Sequence, residues 1–168
     1  MVVKFEDKPQ FKKGEYAEEI VDDHLKSKGF VIYKPQGGCA HAFDSLVIKN
    51  KQNVIIAECK AKARRNHYPD TGMNTKNLNE YLFIQNKYNI TVFVYFADEM
   101  LKEIYGNRLA VLTQSHEIEW KGTKLSYPKV EGKITYFSYD KMIKIADLTD
   151  TQVQNLKKLS TRKHNYKY

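Results

Sequence analysis

The stretch that decides the fold is residues 43–61, FDSLVIKNKQNVIIAECKA. Two runs rich in β-branched residues stand on either side of the polar connection KNKQN, and this pattern predicts a β-hairpin. Residues 54–57 of the second run are apolar in succession, which indicates a strand covered on both faces. Such strands occur at the centre of α/β sheets, so the hairpin predicts an α/β fold.

The segments around the hairpin supply the covering helices. An apolar stripe at three- and four-residue spacing predicts a helix over residues 14–28, which ends before Gly29. Further helices are predicted over residues 75–88 and 149–159, and a short helix or turn over 98–105. Strands are predicted over residues 30–33, 90–96, 109–113, 117–120, 123–127 and 133–138, and residues 61–74 are interpreted as a loop. The order α-β-β-β-α-β predicts a mixed sheet with helices on both faces.

Length and charge limit the possible functions. The chain has 168 residues and a net charge of +8, which fits one domain over residues 1–160 and a basic tail over residues 161–168. This surplus of positive charge favours a polyanionic partner. Nucleic acid is the first candidate for that partner, and an anionic membrane surface is the second. No apolar stretch is long enough to span a bilayer, the N-terminus lacks a secretion signal, and two cysteines make no disulfide framework. We therefore expect a protein of the cytoplasm or nucleoid of a bacterial, archaeal or phage-infected cell.

Charged residues stand at the end of the buried strand. Glu-x-Lys also occurs at residues 6–8, 119–121 and 131–133, but only Glu58-Cys59-Lys60 ends an apolar strand. Strand periodicity places Glu58 and Lys60 on one face and Cys59 on the other. If the hairpin closes around Lys51, Asp44 lies directly opposite Glu58. The hairpin therefore predicts two neighbouring carboxylates and an amine.

Two carboxylates at opposed positions repel each other unless a cation lies between them. Mg²⁺ prefers oxygen ligands and is commonly held by one or two carboxylates together with a substrate phosphate. Lys60 could orient or deprotonate a water, or neutralise charge on the phosphate. These features indicate a metal-dependent phosphodiesterase. The alternative is a structural ion network of Asp44, Glu58 and Lys60 at the sheet edge.

Together with the predicted first helix, the hairpin resembles the PD-(D/E)XK nuclease superfamily, and most of all its archaeal Holliday-junction-resolvase-type members. The resemblance covers about residues 11–97. Phe43 stands where the proline of the superfamily name would be. The matching residues are Gly14-Glu-Tyr-Ala-Glu18-Glu19, Lys28-Gly29-Phe30, Asp44 and Glu58-Cys59-Lys60.

The resemblance implies a fold and an activity. The fold would be restriction-endonuclease-like, with an αβββαβ core around a central mixed sheet, to which this chain adds C-terminal strands and a helix. The activity would be Mg²⁺-dependent hydrolysis of DNA, with Mn²⁺ as a substitute. The substrate could be branched DNA in recombination, repair or phage DNA processing.

The resemblance also implies roles for individual residues. Lys60 would be the catalytic lysine, and a polar residue on the second helix, for which we take Gln85, would approach the site. Glu18 is preferred over Glu15 and Glu19 as the acid of the first helix. The metal would be held by Asp44, Glu58, Glu18 and the carbonyl of Cys59.

Cations that follow the proposed catalytic lysine are candidates for phosphate contacts. Lys62, Arg64 and Arg65 come directly after it, and His41 precedes Asp44 by three residues. The alternative for Lys62, Arg64 and Arg65 is an ordinary run of solvent-exposed charges. The alternative for His41 is a loop histidine without a functional role.

Several functions remain open from the sequence. A catalytically inactive nucleic-acid-binding module would have the same fold and charge. The chain could also be the nuclease subunit of a larger restriction or recombination complex. A symmetric homodimer is a further possibility, because many such nucleases cut both strands as dimers.

Overall fold

The structure is a computed structural model, and it describes residues 8–35, 43–50 and 53–160. His41 lies outside these ranges, as do the basic tail over residues 161–168 and residues 51–52 in the turn of the predicted hairpin. The helices are α1 Pro9–Ser27, α2 Thr75–Tyr88, α3 Leu109–Leu112 and α4 Asp150–Lys158, with a 3₁₀ turn at Tyr139–Lys141. The strands are β1 Val31–Tyr33, β2 Ser45–Asn50, β3 Asn53–Lys60, β4 Asp70–Asn74, β5 Thr91–Asp98, β6 Glu103–Arg108, β7 His116–Trp120, β8 Thr123–Tyr127, β9 Lys129–Glu131, β10 Ile134–Ser138 and β11 Ile143–Asp147.

The predicted hairpin pairs in the predicted register. β2 and β3 are antiparallel, with Leu46 opposite Ile56 and Ser45 opposite Ala57. Continued by one residue, this register brings Asp44 level with Glu58. A register slip of one residue would have moved every side chain to the other face, so this pairing is what brings the two acids together.

The central sheet has the order β1-β2-β3-β5-β6-β11. β3 and β5 are parallel and lie in the middle, while the other pairs are antiparallel. A parallel pair needs a crossover connection, which here contains β4 and helix α2. The α/β class, the mixed sheet and the αβββαβ order are therefore confirmed, with β4 as an addition.

Two apolar cores cover the two faces of the sheet. On one face, Ala17 and Ile20 of α1 pack with Cys59 of β3 and with Leu156 of α4. On the other, helices α2 and α3 cover the alternate residues of β3 and β5. These strands are apolar on successive residues because both of their faces are buried. Within the described residues, no helix is long and apolar enough to cross a bilayer.

A second sheet of order β4-β10-β9 lies beside the central one. Its strand β4 falls in residues 61–74, so the loop predicted there is wrong in its last part. β4 reads DTGMN, with low β-propensity, and is a strand because it pairs with β10 about sixty residues later. Gly72 is required at this pairing, since a Cβ there would lie 2.4 Å from the carbonyl oxygen of Thr135.

One other predicted element is wrong, and one is right in part. Residues 109–113, predicted as a strand, begin with helix α3. Of the short helix or turn predicted over residues 98–105, residues 99–102 form a turn, and strand β6 begins at Glu103. Short apolar runs such as LAVL fit either a buried strand or a buried helix. Helix α2 has the predicted bounds, and α4 begins after Thr149, which caps the helix and forms a capping box with Gln152.

Candidate active site

A cleft of about 1060 Å³ opens beside the carboxyl end of β3. Helix α1 contributes one wall, residues 59–68 contribute the floor, and the second sheet contributes the opposite wall through Gly72, Ile134 and Tyr136. Crevices at the carboxyl ends of strands are the usual ligand sites of α/β sheets. Glu18, Lys60, Lys62, Arg64 and Arg65 all line this cleft.

Glu58 is the buried acid of the site, with 1% of its surface exposed. Its Oε1 forms an ion pair with Nζ of Lys60, as their shared strand face predicts. Its Oε2 accepts a hydrogen bond from the hydroxyl of Tyr81 on α2. Both carboxylate oxygens therefore have a partner from the protein, as a buried charge requires.

Asp44 is fixed against the edge of β3. Its Oδ2 accepts a hydrogen bond of 2.9 Å from the backbone N–H of Cys59. This bond places the carboxylate beside the peptide that joins Glu58 to Cys59. The predicted proximity of Asp44 and Glu58 is thus present in the structure.

The charge of Asp44 raises the pKa of two other acids of the site, Glu58 and Glu18. Burial raises the pKa of Glu58 to about 7, against the opposing effect of Lys60, and the charge of Asp44 raises it further. Burial also raises the pKa of Glu18, and Asp44 adds to that effect. Burial lowers the pKa of Lys60, but Glu58 and Asp44 outweigh it, so the net direction is upward. Negative charge is therefore crowded around Asp44.

Helix α1 presents Glu18 to the cleft. Of the three acids considered on this helix, Glu18 lines the cleft, whereas Glu15 and Glu19 are exposed and do not line it. The Oε2 of Glu18 lies 3.4 Å from Nζ of Lys34, which also pairs with Asp22 at 2.7 Å. The structure thus places Glu18 where the sequence pattern predicts, while its role stays a prediction.

The donor chemistry fits a hard divalent cation. Asp44 raises the pKa of both Glu18 and Glu58, and a bound cation would relieve that repulsion. Oxygen ligands of this kind are those that Mg²⁺ prefers. As the side chains stand, no group of three or more His, Cys, Asp or Glu residues within 8–35, 43–50 and 53–160 is gathered closely enough to hold a metal ion. Glu58 is turned to Lys60 and Tyr81 instead.

Gln85 does not reach this cluster, which corrects the expectation for the second helix. Its Oε1 accepts a hydrogen bond of 3.4 Å from the backbone N–H of Val92 at the start of β5. Val92 is level with Ile56, two residues before Glu58 on β3. Tyr81, one turn earlier on α2, provides the polar contact instead. The sequence analysis missed Tyr81 because tyrosines fit half-buried positions without any polar role.

Arg65 has a structural role rather than the predicted phosphate contact. Its Nε and Nη2 donate to the two oxygens of buried Asp70, each at 2.6 Å, and its Nη1 donates to Glu131 at 2.6 Å. The guanidinium lies 3.7 Å from the ring centroid of Tyr136. Arg65 therefore fastens the second sheet to the floor of the cleft.

Arg64 and Lys62 remain candidates for phosphate contacts. Both line the cleft, and the backbone N–H of Arg64 donates to Oδ2 of buried Asp98 at 2.8 Å. This bond fixes the backbone from which the side chain extends. The proposed contact of His41 cannot be placed, since that residue lies outside the described ranges.

The fold of this chain is similar to folds seen in solved structures. The chain has a restriction-endonuclease-like fold, which is similar to that of Hjc, a Holliday junction resolvase from the archaeal hyperthermophile Archaeoglobus fulgidus. That match has 10% sequence identity and a TM-score of 0.52, and it covers 79% of this chain and 92% of that chain.

A nuclease from a fusselovirus, D212, is also similar. It has 9% identity and a TM-score of 0.47, over 95% of this chain and 96% of that chain. No family profile matches the chain, and a search of curated proteins returns no match.

Proposed function

We propose that this chain is a nuclease that hydrolyses phosphodiester bonds in DNA with Mg²⁺, or Mn²⁺ in its place. The observation that carries the proposal is the cluster of Asp44, buried Glu58 and Lys60 at the carboxyl end of a central strand, beside a cleft lined with cations. The fold shared with Hjc and the net charge of +8 support a nucleic-acid substrate.

Asp44, Glu58, Glu18 and the carbonyl of Cys59 are the groups that would hold the cation. When bound, Mg²⁺ would lower the pKa of a water molecule and polarise a phosphate oxygen. The N–H of Cys59 fixes the carboxylate of Asp44, and the hydroxyl of Tyr81 holds one oxygen of Glu58, whose other oxygen would have to exchange Lys60 for the cation. Lys60 holds its ammonium group at the cleft floor, where it would stabilise the negative charge that develops on the phosphate.

A branched DNA substrate is the first choice within this proposal. Hjc, which shares the fold, is described as a Holliday junction resolvase. The sequence also contains no module recognisable as a reader of base sequence. We therefore place the activity in recombination, repair or phage DNA processing.

The test is a panel of supercoiled, linear, single-stranded and four-way-junction DNA with Mg²⁺, Mn²⁺ or EDTA. We expect metal-dependent cleavage that falls at least 100-fold in Glu58→Gln, since losing a charged metal ligand should cost at least the roughly 10–100-fold typical of losing an outer partner of a metal site. Glu119→Gln is the matched control, because Glu119 belongs to another Glu-x-Lys copy and is exposed on β7. Absence of cleavage under every metal, or equal rates in Glu58→Gln and the wild type, would contradict the proposal.

A nucleic-acid-binding module without catalysis is the second candidate. The observation in its favour is that both oxygens of Glu58 are already engaged by Lys60 and Tyr81. Calorimetry with Mn²⁺ separates the two. The nuclease should show a binding signal that Asp44→Ala removes, whereas the inactive module should show salt-dependent DNA affinity and no metal signal.

A further inference from the structure

Two tyrosines stand where the floor of the cleft meets the second sheet. Tyr68 lies in the segment between β3 and β4, and Tyr136 belongs to β10. Both residues line the cleft and are half-buried. The metal-dependent chemistry proposed above uses neither ring.

Arg65 holds the two rings together. Its guanidinium carbon lies 3.7 Å from the ring centroid of Tyr136 and 4.4 Å from that of Tyr68. Its Nε, Nη1 and Nη2 all donate to the carboxylates of Asp70 and Glu131, which holds the guanidinium in this position. Tyr68, Arg65 and Tyr136 therefore form one ordered group, which we call the tyrosine cluster.

The segment that carries Tyr68 is fixed by two backbone hydrogen bonds. The N–H of Arg65 donates to the carbonyl oxygen of Asp70 at 3.0 Å, and the N–H of Tyr139 donates to that of Pro69 at 2.9 Å. A ligand would not have to order the rings, and this lowers the entropic cost of binding. A tyrosine that only filled a core would be buried, whereas Tyr68 stays partly open to the cleft.

Polar side chains come directly before Tyr68 in the chain. Asn66 and His67 are exposed and line the cleft. Nζ of Lys129 lies 5.3 Å from the ring centroid of Tyr68 and pairs with Glu131 at 2.6 Å. Amide and imidazole groups can donate and accept hydrogen bonds, so they suit the polar edge of a flat ring that stacks on the tyrosine.

The same segment carries the cations of the cleft floor. Lys60, Lys62 and Arg64 precede Tyr68, and every residue from 59 to 68 lines the cleft. A ligand that combines a phosphate with a flat polar ring matches this order of groups, and a nucleotide is such a ligand. In a duplex the base is paired and stacked inside the helix, so only an unpaired base can reach the tyrosine cluster.

We propose that Tyr68 and Tyr136 form a stacking site for an unpaired nucleobase, and that the substrate is therefore DNA with a single-stranded segment in this cleft. The inference rests on the proposed function for its choice of a nucleic acid as the ligand. Stacking on an aromatic side chain tolerates any sequence, because every base has a π face. The site thus selects unpaired DNA without reading its bases.

The experiment compares two oligonucleotides of about twelve nucleotides, a length in the range that single-strand sites commonly cover. One is oligothymidylate, and the other has the same phosphates with abasic sugars throughout. The affinity of the full-length chain for each is measured by fluorescence anisotropy in EDTA. Because the two ligands carry the same charge, the ratio of their affinities reports contacts with the bases.

We expect the wild type to bind oligothymidylate at least fivefold more tightly than the abasic ligand, since stacking of one base contributes about this much or more. Tyr68→Leu should remove most of this preference, and Tyr68→Phe, which keeps the ring, should retain it. Tyr88→Leu is the matched control, because Tyr88 is an exposed tyrosine of α2 that does not line the cleft. Equal affinities of the wild type for the two ligands would overturn the proposal, as would a preference that survives in Tyr68→Leu.

Photocrosslinking of the wild type to an oligonucleotide that contains iodouracil needs no variant, so it decides the question even if Tyr68→Leu fails to fold. Mass spectrometry should find the adduct on Tyr68 or Tyr136, and a digest without an adduct on either ring would overturn the proposal. Because EDTA prevents metal-dependent chemistry, the stacking site is tested independently of cleavage. A chain that binds bases through Tyr68 but cuts no substrate would refute the nuclease and leave the stacking site standing.

Discussion

Glu58 is the residue whose surroundings decide between a catalytic cluster and a structural ion pair. A carboxylate buried to 1% exposure and with a pKa near 7 is in an environment that disfavours its charge. A group selected only for stability would gain more from a neutral or apolar side chain there. Shifted acids in clefts are candidates for functional sites, and this one lies beside a second acid and an amine.

Neutral isosteres of the two acids should separate function from stability. We expect Glu58→Gln and Asp44→Asn each to abolish cleavage and to leave the free energy of unfolding unchanged or about 1 kcal/mol higher, because each removes one of two crowded like charges. The Asp44→Asn variant keeps a side-chain oxygen that can accept the hydrogen bond from the backbone N–H of Cys59. Urea denaturation at pH 8 in EDTA measures the stability. Unfolding of either variant would favour the structural ion network.

Lys60 should act on the chemical step and not on binding. We expect Lys60→Ala to bind DNA within about threefold of the wild type, because the cleft keeps its other cations, and to cleave at least 100-fold more slowly. Anisotropy in EDTA and single-turnover cleavage in Mg²⁺ measure the two quantities. A much weaker complex with unchanged turnover of bound DNA would assign Lys60 to binding.

Tyr81 should orient Glu58. We expect Tyr81→Phe to lower the cleavage rate about tenfold and to cost about 1 kcal/mol of stability, the usual net contribution of one hydrogen bond. Tyr139→Phe is the matched control, because the hydroxyl of Tyr139 donates to buried Asp98 at 2.6 Å away from Glu58. If both variants lose equal activity for equal loss of stability, the contact of Tyr81 is merely structural.

At the scale of elements, the second sheet depends on Arg65. We expect Arg65→Ala to cost about 3–5 kcal/mol, because it leaves the buried charge of Asp70 without its bidentate partner. Thermal and urea unfolding measure the loss, and a DNA-binding assay below the unfolding transition provides the comparison. If the variant keeps the stability of the wild type but binds DNA much more weakly, the result would support the phosphate contact that the sequence predicted for Arg65.

Elements with local signals could be predicted from the sequence. Helix α2 has a periodic apolar face and α4 has a capping box, and both begin where the pattern predicts. A hairpin that closes around Lys51 has the register that the structure shows, and this register brings Asp44 level with Glu58. β4 and α3 could not be predicted from the sequence. β4 is a strand because it pairs with β10, and the four apolar residues of α3 are too few to show a helical or a strand periodicity.

The same division holds for the site. Asp44, Glu58 and Lys60 are linked by strand pairing, a regular geometry that a sequence can encode over short distances. Tyr81 and the partners of Arg65 come from elements distant along the chain, so only the packed structure brings them together. Partners of this kind have no spacing rule that could be applied to the sequence.

At the scale of the whole molecule, helix α1 and the second sheet form the two sides of one cleft. Glu18 and Lys60 line this cleft beside the buried Glu58, and Lys62 and Arg64 line it as well, so the electrostatic pattern suits a metal ion beside a polyanion. The net charge of +8 extends this preference to the whole surface. Light scattering would show whether two copies associate, as cleavage of both strands by one assembly requires.

Anomalous diffraction from crystals soaked in Mn²⁺ tests most directly whether these carboxylates form a metal site. We predict one peak about 2 Å from carboxylate oxygens of both Asp44 and Glu58, with Lys60 displaced from Glu58. A saturating soak that gives no peak there, or a peak that touches neither acid, would contradict the metal-dependent nuclease.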